Sequence, residues 1–167
     1  MKVIGKQKNS RMCVICGMEN PFGLRAPFYN MEDGSVMTQF EYREEHQSYP
    51  GRVHGGLIAA MLDELGFRAC WAQGDESIWG VTMNLETLYR KPVPYGVKLI
   101  GRGLVERQTH RFAQVKSEIL TPDGTVLASA GGKFLLMGIE QIAENVDEHE
   151  EMHMLVEDGV TEIEYGK

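Results

Sequence analysis

No apolar run in this chain approaches the ~20 residues a helix needs to cross a bilayer. The region Met1 to Leu24 has no apolar core of signal-peptide length. Spanning and exported readings are set aside, and a reducing cytoplasm is the expected compartment. Cysteine is scarce: three residues, an odd number, do not suggest a disulfide framework. Positive charge is short too. The 17 Lys and Arg stand against 24 Asp and Glu, a net charge of −7, and no basic cluster offsets it, so a nucleic-acid partner is not expected. Internal repeats and low-complexity tracts are missing. What is present is ordinary: 43% hydrophobic and 25% charged residues are proportions of a soluble globular domain. A chain of 167 residues can bury one core without disulfides or metal.

Residues 1–25 read as an irregular extension, with turn chemistry at Asn20-Pro21-Phe22-Gly23. Residues 26–31 and 35–42 read as a hairpin around Glu32-Asp33-Gly34. A polar loop over 43–53 leads into a helix from about Gly55 to Ala72, with Gln73-Gly74-Asp75 as its exit. Four strands are expected next, over 77–89, 96–106, 111–121 and 125–137. In the first of them, alternation puts Trp79, Val81, Met83, Leu85 and Tyr89 on one face. Gly80, Thr82, Asn84 and Glu86 take the other. The acidic tail from about 140 is read as a short helix followed by chain that is either loose or packed on a partner. The order β-β-α-β-β-β-β with one long apolar helix predicts an α+β fold, a curved antiparallel sheet of about six strands wrapped around that helix. The expected divisions are an extension over 1–25, the main domain over 26–139 and the tail over 140–167.

The segment His54-Gly55-Gly56 followed by Asp63 carries the chemistry. Paired glycines let a ligand approach the backbone, and the free N–H groups of a helix start face it with the positive dipole end behind them. Leu57, Ile58, Met61, Leu62, Leu65, Ala69 and Ala72 form an apolar stripe at helical spacing. Asp63 lies almost opposite, an isolated charge among small residues, and a buried carboxylate is costly unless something satisfies it. Glu64 has Arg68 four residues on and reads as a helix ion pair. An electrophile-polarising N-terminus and a carboxylate on one rigid element suit acyl transfer; the competing reading is an Asp63 that reaches solvent or a structural partner.

Cys13-Val14-Ile15-Cys16-Gly17 has metal-ligand spacing without a second close pair. A small buried turn with reduced thiols is preferred over zinc completed by His46, His54 or a partner subunit, and no resident metal is expected. Cys70 reads as a buried apolar residue, and His46, His149 and His153 as solvated. Trp71, Trp79, Phe67 and Met83 are either core or the wall of an acyl pocket. Arg90-Lys91 suits phosphate binding or a plain strand end.

Three stretches resemble the hotdog-fold acyl-CoA thioesterases of the PaaI-like branch. They are Tyr49-Pro50-Gly51-Arg52-Val53-His54-Gly55-Gly56, Leu62-Asp63, and Thr82-Met83-Asn84-Leu85 through Tyr89-Arg90-Lys91-Pro92. The resemblance implies hydrolysis of an acyl-CoA, with Asp63 as general base or nucleophile and the Gly56 amide polarising the thioester carbonyl. It implies that His54 orients substrate or water and that Thr82 positions the water. Gly55, Gln47, Asn84, Arg90 and Lys91 become substrate-binding candidates, the last two toward the nucleotide of coenzyme A. It also implies an active site between two subunits, in a homodimer or homotetramer, with no cofactor. The family's loop Asn or Gln has no clear counterpart; His46 and Gln47 are the candidates to assist Asp63. The alternative is a catalytically idle hotdog domain that binds acyl-CoA as sensor or carrier. A hydratase is disfavoured because no His follows Asp63 on the helix.

Overall fold

The computed structural model describes residues 1–74 and 76–166, and of residues 148 and 149 the backbone alone. Asp75 of the expected helix exit and the His149 side chain lie outside the described residues. The chain runs through β1 (Val3–Lys6), β2 (Tyr29–Met31), β3 (Val36–Glu41), β4 (Gln47–Tyr49), β5 (Arg52–Val53) and α1 (Gly55–Trp71). It continues through β6 (Trp79–Tyr89), β7 (Lys98–Gln108), β8 (Phe112–Leu120), β9 (Val126–Met137) and a four-residue α2 (Glu148–Glu151). Seven strands form one antiparallel sheet in the order β1-β2-β3-β7-β8-β9-β6, with α1 packed against β3, β6, β7, β8 and β9. This is the expected hotdog architecture. No helix among the described residues is long and apolar enough to cross a membrane.

The helix forms where its apolar stripe lies. Ile58, Met61, Leu62, Leu65 and Ala69 are buried against the sheet. Two glycines let it sit directly on the strands. A Cβ at Gly103 would stand 2.2 Å from the Leu65 carbonyl oxygen, and one at Gly66 2.8 Å from Val115 Cγ2. At Gly103 the obstacle is helix backbone, so a side chain there would push the helix off the sheet, while at Gly66 the Val115 and Phe134 side chains would have to shift.

Three features differ from the expectation, and all depend on contacts far apart in sequence. The extension is not wholly irregular: β1 pairs with β2, which raises the strand count to seven. The tail neither hangs loose nor leaves its own chain. Val3 N–H donates to Thr161 O and Ile163 N–H to Met1 O, while Ile163 is fully buried. Lys6 Nζ pairs with the Asp158 carboxylate, and the Tyr29 hydroxyl donates to it as well. The tail thereby covers the outer edge of β1, while β6 ends the sheet on the other side. Finally, the 43–53 loop contains a small β4–β5 hairpin turned at Pro50-Gly51, where Gly51 has φ 77°. A positive φ is the region glycine enters without steric cost.

Candidate active site

Asp63 sits half-buried on α1 and accepts a hydrogen bond from the Thr82 hydroxyl of β6 at 2.8 Å. Among the described residues no cation pairs with it. Burial holds its pKa above the ordinary carboxylate range, the nearby Glu64 charge adds to this, and the Thr82 hydrogen bond opposes it. The group is therefore an ionisable acid with one polar partner and no counter-charge, the state in which a carboxylate is most useful as a base.

Thr82 reaches Asp63 because β6 is not regular. Thr82 pairs with Phe134 and Asn84 with Lys133, so Met83 is an extra residue without a partner on β9. Such a bulge reverses the parity of the faces. Thr82 before it and Leu85 and Tyr89 after it all turn toward the helix side: Thr82 bonds Asp63, Leu85 packs on the central core, and Tyr89 Oη donates to Gly55 O at 2.9 Å. The expected strict alternation over Trp79–Glu86 fails at Met83. Asn84 falls on the opposite face, lining a groove with Glu86, Gln114 and Lys133 away from Asp63.

At the helix start His54 is the N-cap, and its Nδ1 accepts the Gly56 N–H at 3.0 Å. The amide proposed to polarise a thioester thus already has an acceptor, on an exposed ring. From Gly56 to Asp63 the helix rises about 10 Å at 1.5 Å per residue. On one chain the two groups therefore lie about two helical turns apart.

Beside the helix start lies a cleft of about 410 Å³ lined by Arg52, Gly55, Tyr89, Arg90, Lys91 and Val93, among others. Arg90 and Lys91 are both exposed there, and both their N–H groups donate to Leu127 O at 2.9 Å, which fixes the turn that displays them. Arg52 joins them. It stands within the motif, yet nothing in the spacing marks it as a cation of this cleft; only the β4–β5 hairpin carries it there. Gln47 is exposed on β4. His46 is corrected: it is buried, its Nδ1 accepts the Arg43 N–H at 2.9 Å and its Nε2 lies 2.8 Å from Phe22 O. With both ring nitrogens engaged it pins the loop and is not free to assist Asp63.

The remaining candidates sort themselves by contact. Phe67, Trp71 and Trp79 pack on one another with ring centroids 4.8 to 6.0 Å apart near the end of α1. Met83 is exposed. Cys70 is buried, its thiol pushed up to about 11 by burial, as suits an unreactive core sulfur. Glu64 pairs with Arg68 at 2.8 Å as the spacing implies, but the pair is not a surface one. Arg68 is 1% exposed, donates to Lys8 O at 2.7 Å, and lies over the rings of Phe28 and Trp71.

The single long helix against a curved antiparallel sheet defines a hotdog fold. Comparison agrees: residues 50–128 match the Thioesterase superfamily family model. Acyl-coenzyme A thioesterase THEM4 of Rattus norvegicus is 33% identical over 69 residues, 41% of this chain and 28% of that protein. A solved thioesterase superfamily protein is 31% identical with a TM-score of 0.68, over 74% of this chain and 63% of that one. The chain thus spans less than two thirds of either relative. A Bacillus halodurans protein solved with CoA shares the fold, with a TM-score of 0.61 at 21% identity over 72% of this chain and 81% of that one. The resemblance read from the motif is supported at the level of the superfamily and its fold.

Proposed function

We propose that this chain hydrolyses an acyl-CoA thioester to a free acid and coenzyme A, working as a homodimer. The observation that carries the reading is Asp63: a half-buried carboxylate with Thr82 as hydrogen-bond partner and, among the described residues, no cation paired with it. Asp63 takes a proton from water as the water attacks the thioester carbonyl. The oxyanion is held by a Gly56 N–H, from which the carbonyl displaces His54 Nδ1. When the C–S bond breaks, the thiolate leaves and takes the proton back from Asp63. Attack by Asp63 itself, through an anhydride that water then cleaves, gives the same products; ¹⁸O from labelled water in the enzyme carboxylate after a single turnover identifies this second route with water attack at the aspartyl carbonyl, because the general-base route puts the label in the product acid alone.

In the dimer, Asp63 of one protomer works with the Gly56 amide of its partner. The edge strand β6 supports this arrangement. It leaves Val81, Met83, Leu88 and Tyr89 40–55% exposed. An open apolar edge of this kind invites pairing with a second strand, whereas the β1 edge is covered by the tail. A stable and fully active monomer in sedimentation equilibrium would overturn the dimer.

The cationic cleft of Arg52, Arg90 and Lys91 fits the phosphates of coenzyme A. The rat relative's name is consistent with that substrate. A second reading, an idle hotdog domain that only binds acyl-CoA, is favoured by one observation: the His54 cap on Gly56. Thiol release measured across an acyl-CoA panel decides between them. Release that depends on Asp63 supports hydrolysis, and binding without release supports the second reading.

A further inference from the structure

The N-terminal extension meets α1 at a cluster the hydrolytic reading does not use. Cys13 Sγ, Cys16 Sγ and a carboxylate oxygen of Glu64 all lie within 4.8 Å of one another. The turn that carries the cysteines is built around the first sulfur. The N–H groups of Ile15 and Cys16 donate to Cys13 Sγ at 3.3 and 3.5 Å. Gly17 N–H donates to Cys13 O at 2.8 Å, and a Cβ at Gly17 would stand 2.3 Å from that oxygen, so the turn closes this tightly only with glycine. Ser10 Oγ lies 3.3 Å from Cys16 Sγ. Two amides aimed at one sulfur favour its thiolate form, the form that ligates metals.

We propose that Cys13, Cys16 and Glu64 form a binding site for a thiophilic divalent cation of zinc's kind, which staples the N-terminal extension to the central helix. Two thiolates and a carboxylate match the ligand types zinc takes, and a water completes four-coordination. Ligand distances of about 2.3 Å for sulfur and 2.0–2.2 Å for oxygen require the three donors to close in by about an ångström. The half-buried Cys13 leaves the fourth position within reach of solvent. Neither His46, whose two ring nitrogens are both engaged, nor His54 belongs to this cluster. Charge also balances. Two thiolates and Glu64 carry three negative charges, the cation two positive ones, and the Arg68 guanidinium on Glu64 supplies the third. A carboxylate can accept from Arg68 and still offer a lone pair to a metal, and ligating carboxylates are ordinarily oriented by such a second partner. With both sulfurs protonated, Glu64 and Arg68 balance each other, so the fold does not need the ion to form.

The test uses the full chain, reduced and stripped with chelator, then titrated with Zn²⁺ and separately with Co²⁺. The expected result is one Zn²⁺ per chain, a rise in melting temperature on loading, and a thiolate-to-cobalt charge-transfer band with tetrahedral d–d intensity. Cys13→Ser with Cys16→Ser should abolish binding, and Glu64→Gln should raise the zinc Kd at least about tenfold, the lower end of what lost supporting contacts cost a metal site. Glu64→Gln leaves Arg68 unpaired, so Glu64→Asp, which keeps the charge and retracts the ligand, is run beside it; the cobalt spectrum needs no variant. No charge-transfer band, or zinc uptake equal to that of the double serine variant, overturns the site. Unchanged affinity in both Glu64 variants overturns the assignment of Glu64. A Cys13–Cys16 disulfide whose reduction yields no zinc uptake overturns it as well. None of these readouts depends on thioester hydrolysis.

Discussion

Asp63 and Glu64 are adjacent carboxylates on one helix, and they face different regions of the molecule. Asp63 turns to the open edge strand β6, where a single hydroxyl meets it. Glu64 turns to the N-terminal extension, where a buried guanidinium and two sulfurs meet it. A carboxylate with a matched cation resists change and holds structure together. One that is half-desolvated and unmatched keeps its basicity high and its oxygens available. The comparison separates a half-desolvated, unmatched carboxylate on one side of α1 from an ion-paired one on the other, a distinction the shared charge of the two residues conceals.

Changing Asp63 should have the largest effect. Asp63→Asn is expected to reduce thiol release by roughly 10²–10⁴-fold, the usual contribution of a positioned base, while the fold is retained. Near-wild-type turnover would make Asp63 a structural carboxylate like its neighbour. The stability effect has the opposite sign. Because the folded-state pKa is raised, the folded protein holds the Asp63 proton more tightly than the unfolded chain. That favourable contribution is present below the unfolded pKa and is lost as pH rises through the folded one. At neutral pH the ionised carboxylate therefore costs stability, and the Asn variant should melt at a higher temperature than the wild type.

Glu64→Gln should behave the other way. It leaves Arg68 buried and unpaired, and breaking such a pair typically costs about 3–5 kcal/mol; the partial exposure of Glu64 puts the expectation at about 3 kcal/mol. Urea unfolding in the presence of chelator reads this term apart from any metal. A loss under about 0.5 kcal/mol, the range of a surface substitution, would erase the contrast between the two carboxylates.

A smaller effect should appear in the pH profile. Asp63 must be ionised to act as a base, so kcat/KM should fall on the acid side through a pKa above the ordinary Asp value of about 3.9. Thr82→Val removes the hydrogen bond that lowers this pKa and should move the limb to still higher pH. A limb that stays in place would show that Thr82 does not act through Asp63.

The smallest effect concerns the far end of the substrate. Arg90→Ala with Lys91→Ala should raise KM for acyl-CoA and leave kcat little changed, because contacts made equally in ground and transition states affect binding alone. The effect should shrink at high salt and vanish for thioesters without the nucleotide; Arg52→Ala should add to it. Equal losses on both substrate types would make these residues supports of the fold.

Local pattern made much of this molecule legible. The apolar stripe from Leu57 to Ala72 locates the helix to within a residue, because burial against a sheet demands that periodicity. The strands after it follow from alternation and from turns rich in Pro, Asp and Gly. The His-Gly-Gly start and Asp63 are equally local signals, and so is the Glu64–Arg68 spacing. Other features were decided only in three dimensions. The bulge at Met83 places Thr82 and Tyr89 on one face and sends Asn84 to the other, although simple alternation groups Thr82 with Asn84. β1 exists because its strand partners lie 23 to 28 residues away and its tail partners about 160. His46 looks like a solvated loop residue until Phe22 O and Arg43 N–H close around it. The meeting of Glu64 with Cys13 and Cys16 joins segments that nothing in their separate spacings connects. Periodicity records which face of an element is buried; which distant element buries it, and which side chains then share a site, is set by packing.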